Sequence, residues 1–299
     1  MNDAAKTSGA PAELPKTSGR TKVCAIIGDP VARSLSPPIH NAAFQSLGMD
    51  FLYVPFRVRA SDLRTAIDGI RSLGIVGANV TMPHKPRVLQ LLDTVDRIAL
   101  EIGAVNTIAW NHGRLRGYNT DGQAALTALL RLGGPPSGRR AIILGAGGAA
   151  RAIAYYISKI VESLVVFNRT RAKGSRLARD ITRWGGITSR SYTPSRANLR
   201  REVGRADLLI NTLPVDVFPR FGRILNREHL VGRNTLVFDV NYTAKSDFLA
   251  EAELAGAKVA DGLDMLIGQA ALSFKLWTGR DAPIDVMRQA AIEARGQAR

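Results

Sequence analysis

Ala141-Ile142-Ile143-Leu144 runs directly into Gly145-Ala146-Gly147-Gly148-Ala149-Ala150, and a helical stretch follows to about residue 160. The pattern is G-x-G-x-x-A, with an apolar strand before it and a helix after it. Glycine allows the tight turn and lets backbone N–H groups approach a pyrophosphate, whose charge the helix N-terminus also attracts. Glycines alone would be a weak signal, but the strand, the helix and a further strand at Leu164–Phe167 supply the context the motif needs. The chain therefore has to form a parallel β-α-β unit, and Gly145, Ala146, Gly147, Gly148 and Ala149 are expected to hold a dinucleotide.

The end of the second strand selects which one. An NAD site places Asp or Glu about 20 residues past the glycines, against the ribose 2′-hydroxyl. Here the strand ends in Asn168-Arg169-Thr170, followed by Arg171 and Lys173. A planar guanidinium in place of a carboxylate suits a 2′-phosphate, so the expected cofactor is NADP. The charge of the whole chain bears on this. Lys+Arg 41 against Asp+Glu 25 leaves +16. Residues 139–205 hold fifteen Arg and Lys against three acids, a surplus of +12. Such a stretch raises nucleic acid as a partner, but no helix-turn-helix, zinc or RNA-binding motif accompanies it, and none is expected. One 2′-phosphate needs only a few cations, so Arg179, Arg183, Arg196, Arg200 and Arg201 are left without an assigned partner.

At 299 residues and 45% hydrophobic, the chain is long enough for two domains and too apolar to be disordered throughout. No stretch has the length and apolarity of a membrane span. Cys24, the single cysteine, cannot form an internal disulfide, which fits a reducing, cytoplasmic setting. Residues 1–20 carry Lys-Thr-Ser-Gly twice and lack the apolar core of a signal peptide, so they read as a disordered extension. Strand and helix signals then alternate: strands at 23–27, 51–56 and 77–80, helices from Ser36, at 63–73 and at about 86–92, and a hairpin around Asn111-His112-Gly113. Gly133-Gly134-Pro135-Pro136-Ser137-Gly138 reads as a linker, after which the alternation restarts. Met265 to Trp277 is a long amphipathic helix placed to pack back on the first half. The expected class is α/β with two domains and a cleft between them. The substrate domain comprises 21–132 and 264–299, and the Rossmann-type dinucleotide domain comprises 133–263.

Three polar segments lie outside the dinucleotide unit. Ser34 and Ser36 offer two hydroxyls near a helix start, where they read either as carboxylate donors or as a turn residue and an N-cap. Asn79, Thr81 and Lys85 lie at and just after the carboxyl end of a strand, where open α/β sheets bind ligands. Asn106 follows an apolar pair, and Thr120-Asp121 precedes a helix that either of them would cap. Taken singly, each residue reads as structural.

Taken together, the segments resemble the shikimate dehydrogenase family. Gly28-x-Pro30 with Ser34-Leu35-Ser36-Pro37-x-x-His40-Asn41 is similar to that family's amino-terminal signature. Asn79-Val80-Thr81-x-Pro83-x-Lys85, Gly103-Ala104-Val105-Asn106-Thr107 and Gly117-x-Asn119-Thr120-Asp121-Gly122 are similar to its next three. Gly262-Leu263-x-Met265-Leu266-x-x-Gln269-Ala270 and Trp277-x-Gly279 complete the set. The resemblance implies NADP-dependent interconversion of 3-dehydroshikimate and shikimate. Lys85 and Asp121 would be the reacting pair, Ser34 and Ser36 the carboxylate donors, and Thr81, Asn106 and Gln269 the ligands of ring hydroxyls. Tyr242 would join the substrate site. Asn168, Arg169 and Thr170 would hold the adenosine phosphate with Lys173 in support, and Met265 would touch the cofactor. The pairing suits the chemistry, since an ammonium beside a ketone meets the charge of a developing alkoxide and a carboxylate orients it.

The chain departs from the family pattern at Arg33, where many relatives carry His, in Asn211–Asp216, and in Tyr242–Asp247. These departures bear on substrate breadth and cofactor affinity. Alternatives within the resemblance are a quinate/shikimate or aminoshikimate dehydrogenase, and a ligand-sensing protein on the same fold. The state of assembly is expected to be monomer or homodimer. His84 and His40 receive no catalytic role, His112 and His229 no role at all, and no Cys/His spacing predicts a metal.

Overall fold

A computed structural model describes residues 17–214, 235–243 and 246–297. Its first sheet contains β1 (Lys22–Gly28), β2 (Phe51–Arg57), β3 (Gly77–Val80), β4 (Thr94–Val95), β5 (Thr107–Asn111) and β6 (Arg114–Tyr118), in the order β2-β1-β3-β5-β6-β4. Strand β1 runs parallel to β2 and β3, while β5 is antiparallel to β3 and β6. The β5–β6 hairpin closes at Asn111↔Arg114, with φ of 50° at His112 and 73° at Gly113, as a two-residue turn between twisted strands requires. The accompanying helices are α1 (Ser36–Ser46), α2 (Leu63–Ser72), α3 (Arg97–Ile102) and α4 (Asp121–Gly133).

The second sheet is wholly parallel, in the order β12-β11-β10-β7-β8-β9. It consists of β7 (Arg140–Leu144), β8 (Ser163–Phe167), β9 (Thr188–Tyr192), β10 (Leu208–Asn211), β11 (Leu236–Asp239) and β12 (Lys258–Ala260). Helices α5 (Gly148–Ile157), α6 (Arg171–Gly185), α7 (Arg196–Val203) and α8 (Asp247–Leu254) accompany it. The four inner strands β11, β10, β7 and β8 read as near-continuous apolar runs because both faces are covered. Chain order reverses between β7 and β10, which opens a crevice at their carboxyl ends.

The chain then returns through α9 (Leu263–Thr278) and α10 (Ile284–Gln297). Ile267, Ala270, Phe274 and Trp277 of α9 join Cys24, Ile26, Ile39, Phe44 and Tyr53 in the core against the first sheet. Trp277 Nε1 donates to the Ile108 carbonyl at 2.9 Å. Gly77 makes room for that indole, since a Cβ there would stand 2.2 Å from Trp277 Nε1. Among the described residues no helix is long and apolar enough to cross a membrane.

Local details differ from the sequence reading. Ser36 is the first helical residue rather than the N-cap; Leu35 holds that position, and Ser34 Oγ accepts from the Ser36 N–H at 3.2 Å. The helix expected at about 86–92 is only a 3₁₀ turn at Val88–Leu91, because the chain becomes extended at Leu92 to enter β4. Strand β9, Thr-Ser-Arg-Ser-Tyr, is not anticipated by the sequence because an edge strand of polar residues carries little hydrophobic signal. Residues 1–16 of the anticipated extension, and His229, lie outside the described residues. Residues 17–20 form an exposed turn, and the following Thr21 Oγ1 donates to Asp50 at 2.6 Å.

Candidate active site

The loops leaving β1 and β3 meet because those strands are parallel neighbours. Gly28 ends β1, and a Cβ there would lie 2.2 Å from Thr81 Cγ2, so the bare backbone admits Thr81. The Thr81 N–H donates to Ile27 O at 2.9 Å. His84 anchors the next turn: it is fully buried, and its Nε2 lies 2.7 Å from the Val58 carbonyl. Lys85 follows, its own carbonyl accepting from the Val105 N–H at 2.9 Å. The strand pairing and the buried imidazole thus set where the lysine side chain starts.

Lys85 Nζ reaches Asp121 Oδ2 at 2.6 Å, with the two side chains 18% and 5% exposed. Asp121 is the first residue of α4, where the helix dipole favours negative charge. Its other oxygen accepts from Asn106 Nδ2 at 2.9 Å. Asn106 also donates to Thr120 Oγ1 at 2.8 Å, and its Oδ1 accepts from the Thr120 N–H at 2.8 Å. Both ends of the amide are engaged, so Asn106 fixes the carboxylate rotamer. An ordinary exposed ion pair has none of this support and little energetic worth.

Helix α9 brings distant residues to the same place. Gln269 Oε1 lies 3.4 Å from Asn106 Nδ2, and Gln269 Nε2 donates to Leu266 O at 2.8 Å. One turn later Ser273 Oγ accepts from Asn79 Nδ2 at 2.9 Å and pairs with Thr107 Oγ1 at 2.8 Å. The Tyr53 hydroxyl donates to Asn79 Oδ1 at 2.7 Å. Asn79 is therefore committed to a buried network beneath the site. Tyr242 stands near the reacting pair: burial and the Asp121 charge push its phenol up.

Across the cleft, Gly145 has φ of +112°, and a Cβ there would meet Thr212 Oγ1 at 2.4 Å. Gly147 has open space around the position of a Cβ. The first N–H groups of α5 have no intrahelical acceptor, so this turn has the form that a pyrophosphate fits. The Gly145 N–H donates to Phe167 O at 2.8 Å, setting Asn168-Arg169-Thr170 beside the glycine turn. Asn168 Nδ2 donates to Thr170 O at 2.9 Å, which shapes that loop, while the side chains of Arg169 and Lys173 are exposed. These features fit a dinucleotide bearing an added phosphate.

The sequence-predicted residues come from both halves of the chain: Lys85, Asp121, Asn106 and Gln269 are joined by hydrogen bonds, Tyr242 feels the Asp121 charge, Thr81 opens the turn that carries Lys85, and Gly145–Ala149 with Asn168–Thr170 lie at the neighbouring sheet. Ser36 is buried at the start of α1 with Ser34 beside it. Met265 is buried, packed with Ala124, Ala125 and Phe238 between the two halves. Tyr53, Thr107 and Ser273 were missed as supports; only the i, i+4 spacing of Ser273 from Gln269 signalled one of them. In the atypical segments, Asn211 Nδ2 donates to Asp239 Oδ1 at 3.0 Å, and Ser246 donates to Asp239 Oδ2 at 2.7 Å. Burial raises the Asp239 carboxyl above its ordinary value. Val215, Asp216, Ala244 and Lys245 lie outside the described residues.

Residues 26–108 match the family model for the shikimate dehydrogenase substrate binding domain, and residues 262–292 match that for the shikimate 5′-dehydrogenase C-terminal domain. The chain is 41% identical over 277 residues to the NADP(+) shikimate dehydrogenase of Methanopyrus kandleri, covering 91% of this chain and 96% of that one. A crystal structure of shikimate dehydrogenase in complex with NADP+ superposes with a TM-score of 0.84 at 38% identity, over 93% of this chain and 97% of the other. The Thermus thermophilus enzyme in complex with NADP(H) and shikimate gives a TM-score of 0.78 at 35% identity, over 91% and 99%.

Proposed function

The chain belongs to the shikimate dehydrogenase family, and we propose that it performs that family's reaction, the NADP-dependent interconversion of 3-dehydroshikimate and shikimate, with Lys85 and Asp121 as the reacting pair. The observation that carries the assignment of residues is the 2.6 Å contact between Lys85 and Asp121, nearly enclosed and backed by Asn106. NADPH, when bound, supplies the hydride, and NADP+ takes it back in the reverse direction.

The chain's own residues do the rest. The Lys85 ammonium meets the oxygen on which negative charge develops, where it stabilises the alkoxide and has a proton to give. Asp121 holds that ammonium in one place, and Asn106 holds Asp121. Ser34 and Ser36 offer neutral donors to the substrate carboxylate, while Thr81, Asn106, Gln269 and Tyr242 bind its ring hydroxyls. Gly145–Ala149 and Met265 hold the nucleotide, and Asn168, Arg169, Thr170 and Lys173 its 2′-phosphate. Substrate binding is assigned to 21–132 with 264–299, and cofactor binding to 133–263.

The Lys85→Ala variant tests the assignment. Turnover should fall about 10²- to 10⁴-fold, the usual worth of a positioned acid or base, while NADP binding survives. Undiminished turnover would overturn the role of the pair. Initial rates with shikimate and quinate, each with NADP and NAD, test the substrate and the cofactor. The highest kcat/KM is expected for shikimate with NADP, and a preference for quinate would replace that reading with the broader dehydrogenase.

A further inference from the structure

Arg151 lies four residues beyond Gly147, on the first turn of α5, and its guanidinium is taken up by groups outside the glycine turn. Its Nε donates to the carbonyl of Ile102, the last residue of α3. Its Nη1 donates to Asp180 of α6 at 2.9 Å, and Asp180 also receives Arg183 at 2.9 Å. The guanidinium lies 5.4 Å from the Trp184 ring centroid. The ion pair is mostly enclosed, with Arg151 and Asp180 side chains 17% and 15% exposed. Gly103, in the left-handed region at φ +72°, leaves the space: a Cβ there would be 3.3 Å from Arg151 Nη2. One side chain from the cofactor-binding half therefore caps a helix in the substrate-binding half. Around it Ile102, Ala104, Ala152 and Tyr155 form a small buried cluster, and the Tyr155 hydroxyl donates to Glu101 at 2.7 Å.

The segment that Arg151 grips leads straight into the reacting pair. Ala104 O accepts from Asn119 Nδ2 at 2.9 Å, the Val105 N–H donates to Lys85 O, and Asn106 holds Asp121. The same helical turn touches the lysine directly. A Cβ on Gly148 would be 3.3 Å from both Cβ and Cδ of Lys85, so the stem of that lysine lies against the start of the nucleotide helix. Gly148 is an x position of the G-x-G-x-x-A pattern, where phosphate binding does not ask for glycine.

We propose that Arg151 is a positioning residue for hydride transfer: by clamping Ile102-Gly103 to α5 and α6 it sets the distance between the nucleotide cradle and the Lys85–Asp121 pair, with Gly148 giving the lysine stem its place. The proposal rests on the reading of Lys85 and Asp121 as the reacting pair. Misplacement by about 1 Å costs on the order of 100-fold in rate, so losing the clamp acts on kcat rather than on affinity.

The test compares Arg151→Ala, Arg151→Lys and Asp180→Asn with the unaltered enzyme. It measures kcat, NADP and shikimate dissociation constants by fluorescence titration, and the deuterium isotope effect with C4-deuterated NADPH. Arg151→Ala should lose about 100-fold in kcat with both dissociation constants within about threefold, and its isotope effect should rise as the chemical step becomes limiting. Arg151→Lys keeps one donor for Ile102 and should recover part of the loss, and Asp180→Asn should fall between. A kcat within about twofold of the unaltered enzyme, or a loss confined to NADP affinity, overturns the proposal. If Arg151→Ala does not fold, the other two variants decide on the same criteria. Lys85→Ala keeps the two readings apart: if it retains turnover the reacting pair is wrong, and if it loses turnover while the Arg151 variants do not, only the clamp is wrong.

Discussion

His40 shows how far a residue's surroundings change its meaning. It belongs to the amino-terminal motif, yet it is fully buried, stacked on Tyr53 with ring centroids 4.4 Å apart and tilted against Trp277 at 5.1 Å. Neither ring nitrogen has a hydrogen-bond partner among the described residues. Burial lowers its pKa from 6.5 to about 3. The unfolded chain therefore binds a proton below pH 6.5 that the folded chain refuses until about pH 3, so stability is lost as pH falls through that window. The loss is about 1.4 kcal/mol per unit and vanishes above it. A His40→Phe variant lacks this proton site. Urea unfolding at about pH 7.5 and about pH 5 should show its stability relative to the unaltered chain improving by about 2 kcal/mol at the lower pH. An unchanged difference would refute the buried neutral imidazole. His84 is the counterpart whose position was legible and whose job was not: sequence placed it in the Lys85 loop, and only the fold brought Val58 O to its ring.

At the scale of elements, α9 does what no local signal announced. Its amphipathic pattern said that it would pack, and Trp277 and Phe274 do seat it on the first sheet. Its other duty is polar, since Gln269 and Ser273 complete hydrogen bonds begun by Asn106, Asn79 and Thr107 more than 160 residues earlier. Ser273→Ala removes an acceptor from Asn79 and a partner from Thr107 in a buried setting. It should cost about 1–3 kcal/mol in urea unfolding, the usual penalty for stranding buried polar groups. A change below about 0.5 kcal/mol would mean that the network relaxes freely around the gap. Helix α1 teaches the reverse lesson. Ser-Pro-Pro announced its start correctly, but the hydroxyl expected to cap it is left for other use, since Ser34 rather than Ser36 satisfies a backbone N–H there.

For the whole molecule the +16 charge matters through its field. Arg169, Arg171, Lys173, Arg176 and Arg179 are carried on the loop and helix that follow β8, the loop set beside the glycine turn by the Gly145–Phe167 hydrogen bond, while Arg183 on the same helix is drawn to Asp180. A basic surface beside an anion site draws in charged ligands at low salt. Raising NaCl from about 20 mM to about 300 mM shortens the screening length severalfold, so kcat/KM for NADP should fall several-fold while kcat stays within about twofold. A salt-independent kcat/KM would show that this charge does not guide the cofactor. At this scale, too, the line between sequence and structure is sharp. The β-α-β units, the glycine turn, the guanidinium in place of a carboxylate after β8, and the roster of polar residues that meet in the cleft were all legible in the chain. The first three depend on contacts within a few residues or on local periodicity, while the roster came from the family resemblance of the motifs, since each of its residues taken singly reads as structural. That Asn106 holds Asp121, that Asn79 is consumed in support, and that Arg151 ties one half of the chain to the other emerged only once the chain was folded. Those contacts join residues 15 to 194 positions apart, and their geometry comes from how strands pair and helices return, which no single stretch of sequence contains.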